Sequence, residues 1–222
     1  VATPSQGAVD DVQVAVPGTP AGSPDAVGTV PTPVPAPARR RSVGILSAAR
    51  YAKADDGQKF SGEFHEESAP RVADEITTIV SVEGPVHIQD AAIRLIARWG
   101  LSRTGSRIMD RISAACGLAQ RRRSIEVRGE FLWAVPPLVV VRSREGTGIT
   151  AERIAPEEYR EAVLLCLNHH GVIPRKDLVV TVRTLLGFSR TGAKLESAID
   201  GVIQDLMREG VVGEGSGGVR VR

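Results

Sequence analysis

The sequence predicts a mainly α chain with small β-hairpin wings, built as tandem winged helix-turn-helix repeats after a disordered N-terminal linker. Three observations predict it. First, the 33-residue run from Gly84 to Cys116 aligns without a gap to the run from Gly171 to Ile203, with eight identities. Four of these are consecutive, Ser102-Arg103-Thr104-Gly105 against Ser189-Arg190-Thr191-Gly192, and self-similarity of that kind marks a repeated unit. Second, apolar residues in each copy fall at helical spacing and then switch to alternation. Third, the turn between the second and third helices is short and led by glycine, as a helix-turn-helix requires.

In the first copy, Val72, Ile76, Ile79 and Val80 predict a helix over 71–81. Gly84-Pro85-Val86 reads as an extended piece. A second helix is expected over 88–99, with Ala92, Ile93, Ile96 and Trp99 on one face and Gly100 ending it. Ser102 is the expected N-cap of the third helix, which should bury Ile108, Ile112 and Ala115. Alternation of Ile125, Val127, Phe131 and Trp133 about Arg128-Gly129 predicts a hairpin. The second copy repeats the order: a helix over 157–168 with Pro156 in its first turn, helices over 176–186 and 190–209, and a hairpin of Val211-Val212 with Val219–Val221. Two generic three-helix bundles are the alternative to the winged form.

Composition divides the chain. Residues 1–38 hold eight of the 14 prolines and neither Lys nor Arg. They lack apolar periodicity, so they cannot bury enough surface to offset ordering entropy. Residues 39–69 are expected to be a partly ordered connector, with a possible short strand at Val43–Leu46. The modules are expected over 70–135 and 154–222, joined by a connector over 136–153. The Trp133–Val141 stretch leading through that connector is apolar enough to predict burial against one or both modules, making them one rigid unit. The valine at position 1 and the long linker suggest the C-terminal piece of a larger protein. No 18-residue apolar run supports a membrane span, and the N-terminus lacks the pattern of a signal peptide. A cytoplasmic location is expected.

Three of the 26 acids lie in residues 1–38, so residues 39–222 carry all 28 bases against 23 acids. Of those bases 24 are Arg, the residue suited to bidentate contact with phosphate and guanine; a GC-rich genome would give the same bias. Placement therefore decides. In the first copy Arg103, Thr104, Ser106, Arg107 and Arg111, with Asp110, surround the exposed side of the third helix. Arg121, Arg122 and Arg123 lead into the hairpin, and Arg128 sits at its turn. In the second copy Arg190, Thr191 and Lys194 begin the third helix, but Glu196, Asp200 and Asp205 offset them. Duplex DNA is thus the expected partner, through the first module. The shared Ser-Arg-Thr-Gly is assigned first to capping and turn geometry, with phosphate contact as the functional alternative.

Catalysis finds little support: the chain has no phosphate-binding GxxxxGK[ST] loop, no nuclease-like acid cluster and no Ser/His/Asp arrangement. No cofactor or small-molecule substrate is expected. None of the four histidines stands in a metal-ligand spacing, so no metal is expected. Cys116 and Cys166 fall on apolar helix faces and read as small buried hydrophobes.

At Glu83–His87 with Leu101–Ile108, and at Pro156-Glu157-Glu158, Leu185–Phe188 and Ser189–Leu195, the sequence resembles a bacterial family. It is the C-terminal domain of unassigned function found at the end of very large proteins related to superfamily 1 DNA helicases. The resemblance covers roughly residues 64–212. It implies upstream helicase and Vsr-like or restriction-endonuclease-like domains as partners in one polypeptide, and a DNA-processing or phage-defence setting. It carries over no catalytic residue, because the motor and nuclease motifs are absent from this chain. A protein-interaction or assembly module that packs on the motor without touching DNA is the other function to be weighed.

Overall fold

The computed structural model describes residues 46–54 and 59–222. The expected linker, and residues 43–45 of the suggested early strand, lie outside them. The described residues are mainly α, with six α-helices and small sheets.

Helix α1 spans Ala69–Glu83, begun by the Ser68 hydroxyl, which accepts from the Arg71 N–H, and by Pro70 in the first turn. Strand β2 (Val86–His87) leads into α2 (Ile88–Ala97), and α3 runs Ser106–Arg121. Strands β3 (Ile125–Arg128) and β4 (Phe131–Ala134) form an antiparallel hairpin, and β4 also pairs with β2, giving the order β2-β4-β3. The second half follows with α4 (Pro156–His170), β6 (Val172–Ile173), α5 (Arg175–Leu185), α6 (Ala193–Arg208), β7 (Val212–Gly215) and β8 (Gly218–Val221), in the sheet order β6-β8-β7.

The 87-residue offset extends beyond the sequence identities. α1 and α4, α3 and α6, β3 and β7, and β4 and β8 start and end at positions related by that shift. So do the single 3-10 turns before them, Phe64–Glu66 and Ala151–Arg153. Register follows too: Val86 faces Leu132 in one half, and Ile173 faces Val219 in the other. Each half closes over its own core. Ile76, Ile79, Leu95, Ile96, Ile112 and Leu132 are fully buried in the first, and Leu167, Leu178, Leu186, Ile199, Ile203 and Val219 are buried in the second. Burying a side chain of this size stabilises the fold by about 1.5–3 kcal/mol relative to exposure.

Three expectations need correction. Ser102 does not cap α3: the helix starts four residues later, its N-cap is Gly105, and no side chain caps it. The same holds in the second half, where Gly192 and not Ser189 precedes α6. After Gly100, which takes a positive φ of 72°, the Ser-Arg-Thr-Gly segment is non-helical and ends at an extended Gly105 before the helix begins. Ile93 is exposed on α2, because Ala91, Ala92, Leu95 and Ile96 already fill the inner face. Within the 39–69 connector, Phe64 is buried, and Phe60 and Phe64 pack on Trp99 with ring centroids 4.5 and 5.2 Å away. Finally, the apolar connector is not buried as a block. Leu138 is 66% exposed and Val135 51%, while Val139 and Val141 are half-buried. An extended segment sends alternate side chains to opposite faces, so half of its valines point outward.

What the connector buries instead is charge. Strand β5 (Arg142–Ser143) pairs in parallel with β1 (Ala49–Arg50). Arg142 and Arg144 then turn inward to Glu158 of α4. Glu158 accepts from the Arg142 backbone N–H at 2.8 Å, from Arg142 Nη2 at 2.9 Å and from Arg144 Nη2 at 2.7 Å, and also pairs with Arg144 Nη1. Arg142 donates onward to the carbonyls of Glu83 (2.6 Å) and Pro85 (2.9 Å) in the first half. The Glu83 carboxylate, fully buried at the end of α1, accepts from the Tyr51 hydroxyl and the Ala54 N–H, both at 2.8 Å, and from Arg94 at 3.2 Å. The Tyr51 ring lies about equally close to the Arg142 and Arg144 guanidinium groups, at 5.0 and 4.9 Å. Arg153 also links the halves, donating to the buried Asp90 at 2.9 Å and to Gln89 at 3.1 Å.

Candidate nucleic-acid interface

Helix α3 owes its orientation to Ile112, Ala115, Cys116 and Ala119, spaced three and four residues apart and buried. The opposite face presents Arg107, Asp110, Ser113, Ala114 and Arg121 to solvent, with Gly117 half-buried among them. Arg107 and Arg121 stand close to four full turns apart, so they project from nearly the same side at the two ends of the helix. Asp110 is the only acid on α3.

The sequence-predicted residues of the first half separate into free and engaged groups. Arg103, Thr104, Ser106 and Arg107 are exposed in and just before the first turn of α3. Arg121 and Arg123 are exposed at its far end, Arg123 with a positive φ of 59°. Among the described residues, the side chains of Arg103, Arg107, Arg121 and Arg123 make no hydrogen bond or ion pair. Arg122 is engaged by Asp74 of α1 at 3.1 Å. Arg111 is half-buried, its Nε enclosed and without a hydrogen-bond partner. Arg128, expected at the tip of the hairpin as a contact, is held inside the protein's own network. It donates to Glu126 at 2.9 Å, lies 3.9 Å from Glu157 of α4, and stacks 4.5 Å from the Trp133 ring.

The second half distributes its charges differently. Lys194 pairs with Glu152, whose carboxyl is pulled down to about 2, chiefly by the hydrogen bond from that lysine. Arg175 pairs with Asp200 at 2.9 Å, Arg160 with Glu209 at 2.7 Å, and Arg208 with Asp205 at 2.9 Å. Arg190 is exposed, and Thr191 is half-buried beside the Arg175–Asp200 pair, in a cleft of about 510 Å³. Another cleft of about 330 Å³ is lined by Phe131 of β4 together with Tyr159, Ser197, Gly201 and Asp205. The hairpin of the first half therefore borders the outer face of α6.

Sequence reasoning missed the buried ion cluster that joins the halves. Its signal was present at two positions. Glu83 continues the apolar face of α1 three and four residues after Val80 and Ile79, and Glu158 lies four residues before the buried Ala162 on α4. Burial pushes the Glu158 carboxyl up, but hydrogen bonds and charge from Arg144 and Arg142 outweigh it and hold the group below the ordinary carboxylate range. Burial and then the Glu83 charge push the Tyr51 hydroxyl upward. Both cysteines are buried free thiols, Cys116 pushed up to about 11 and Cys166 to about 12 by burial. No group of three or more His, Cys, Asp or Glu side chains that could hold a metal ion occurs among the described residues. No helix among them is long and apolar enough to cross a membrane.

The family model described as Protein of unknown function (DUF3320) matches residues 62–110, from before α1 into the first turns of α3. That is less than a quarter of the chain, and the matched family brings no activity with it. No curated protein and no solved structure matches the chain.

Proposed function

We propose that this chain is a non-catalytic DNA-binding accessory module, two winged helix-turn-helix units in tandem, serving a larger helicase- or nuclease-type protein. The order helix, strand, helix, helix, hairpin, with the first strand pairing to the last, supports the winged-helix reading in both halves. In such folds the third helix is the element that enters the major groove. The observation that carries the DNA reading is the set of unpaired, exposed arginines at and just beyond the two ends of α3: Arg103, Arg107, Arg121 and Arg123. An arginine left without a carboxylate is available to phosphate. Service to a motor rests on the resemblance at Glu83–His87 and Leu101–Ile108 to the end of helicase-related proteins.

A fluorescence-anisotropy titration with a short duplex at several salt concentrations tests the reading. Four phosphates neutralised predict that log K falls with log salt at a slope of about −3.6. A slope near zero, or no binding at low salt, counts against it. One observation favours a second reading, a module that packs on protein: the exposed strip of Val135, Leu138 and Val140, since contiguous exposed apolar surface marks interaction sites. Salt-insensitive association with the upstream domains would favour that reading.

A further inference from the structure

We infer that the nucleic acid is duplex, gripped by phosphate contacts at the two ends of α3, while the hairpin of the first half is turned away from it to pack on the second half. The inference rests on the DNA reading above and specifies what is bound and by which surface.

Two observations on the hairpin argue that it is withheld. Its turn is Arg128-Gly129-Glu130, so the tip carries no net charge, and Arg128 is already held by Glu126 and Glu157 and stacked on Trp133. Glu130 lies 3.6 Å from His87, and Phe131 borders the cleft over α6. A wing spent in this way has no cation to offer a groove. Phe131 shares the walls of that cleft with Ser197, Gly201 and Asp205 of α6, a helix whose basic residues are matched by acids.

Of the contacts expected in the first half, the cations left free sit at or just beyond the two ends of one helix. A 16-residue helix such as α3 is about 24 Å long. Laid across a major groove about 12 Å wide, it overhangs each rim by about 6 Å, which is within reach of an arginine side chain. Arg103 and Arg107 would meet the backbone on one rim, and Arg121 and Arg123 that on the other. Between them the small side chains of Ser113, Ala114 and Gly117 leave the middle of the helix low. Only a duplex offers two rims at this spacing.

The aromatic residues point the same way. Proteins that hold single strands stack bases on exposed aromatic rings. The four Phe, two Trp and two Tyr of this chain all fall among the described residues, and none is exposed.

The test uses the whole chain, a labelled duplex and one of its own strands, read by anisotropy over a range of salt. Three variants are compared after circular dichroism has shown them folded: Arg103→Gln with Arg107→Gln, Arg121→Gln with Arg123→Gln, and Arg128→Gln. The duplex should bind at least about tenfold more tightly than the single strand. Each α3 pair should weaken duplex binding about tenfold and flatten the salt slope by about 1.8, the loss of two phosphates. Arg128→Gln should change affinity less than about twofold, since that side chain neutralises no phosphate. Equal or tighter binding of the single strand overturns the inference. So does a silent Arg121/Arg123 pair, or an Arg128→Gln loss as large as that of the α3 pairs. In each of those cases DNA binding itself stands. Absence of binding to either form at low salt overturns the DNA reading and this inference together.

Discussion

The two halves of this protein share an order of elements and differ in where their charges go. α3 and α6 are the same length, begin after an equivalent glycine and bury apolar residues at equivalent positions. Yet α3 keeps arginines free at both ends, whereas α6 and its surroundings pair Lys194, Arg175 and Arg208 with Glu152, Asp200 and Asp205. The difference teaches that the apolar pattern sets the frame and the polar surface sets the use. The frame tolerates either surface because neither touches the core. What holds the halves together is a third element, the Glu158–Arg142–Arg144 cluster with Glu83 and Tyr51, which has no counterpart within either half.

The largest expected effect comes from that junction. Glu158→Gln leaves two buried guanidinium groups short of their counter-charge, and breaking such a pair costs about 3–5 kcal/mol. Urea unfolding at pH 7 should show this loss. The pH dependence follows from the depressed folded-state pKa of Glu158. Its contribution is complete above the unfolded value of about 4.3 and is lost as pH falls through the lower folded value. Wild type and variant should therefore converge in melting temperature as the pH drops below about 4. A constant gap down to pH 3 would show that Glu158 acts by packing and not by charge.

Next, the equivalence of the two cores can be strained at the identical pair Ile112 and Ile199, both fully buried. Truncation to Ala should cost each about 3 kcal/mol, with the two values within about 1 kcal/mol of each other. A much smaller cost on one side would mean that one half is loosely packed and the symmetry of the frame is superficial.

A smaller effect separates the halves at their turn glycines. Gly100 and Gly187 both adopt positive φ, near 72° and 78°. A Cβ at Gly100 meets nothing within 4 Å, whereas one at Gly187 would lie 2.7 Å from the Glu145 N–H nitrogen and against the Ser143 hydroxyl. Gly100→Ala should cost about 1 kcal/mol from backbone strain alone. Gly187→Ala should cost about 1–3 kcal/mol more, because the connector must move. Thermal melts of the two variants give the comparison directly. The smallest effect expected is chemical: both thiols are buried and raised, so a thiol reagent at pH 8 should react with neither until the protein unfolds.

Most of the frame could be read before any coordinates. Val72, Ile76, Ile79 and Val80 marked α1 by their spacing alone, and the hairpin about Gly129 followed from alternation. These are local signals, carried by neighbours in sequence. The misses share a cause. Ser102 had the chemistry of a cap, but where α3 begins depends on how the chain leaves Gly100, and propensity does not encode that path. The connector valines suggested burial through composition, whereas Arg142 and Arg144 are buried because the Glu158 carboxylate accepts from both and the Glu83 carbonyl accepts from Arg142, at separations of 14 to 59 residues. Long-range pairing leaves only a faint trace, an acid standing on an apolar helix face. The candidate interface was legible as a list of arginines but not as a sorted one. Nothing in the sequence says that Asp74 takes Arg122 or that Glu157 approaches Arg128.

The most direct measurement is duplex affinity after charge reversal in each half, titrated at several salt concentrations from low upward. Arg103→Glu with Arg107→Glu should weaken binding at least about tenfold and flatten the salt slope by about 1.8, with stability changed by no more than about 0.5 kcal/mol per site. Arg190→Glu with Lys194→Glu should weaken it less than about threefold, because Lys194 is already matched by Glu152. A greater loss from the second pair, or no binding by the unaltered chain, would contradict the claim that the free arginines of α3 distinguish the two halves in function.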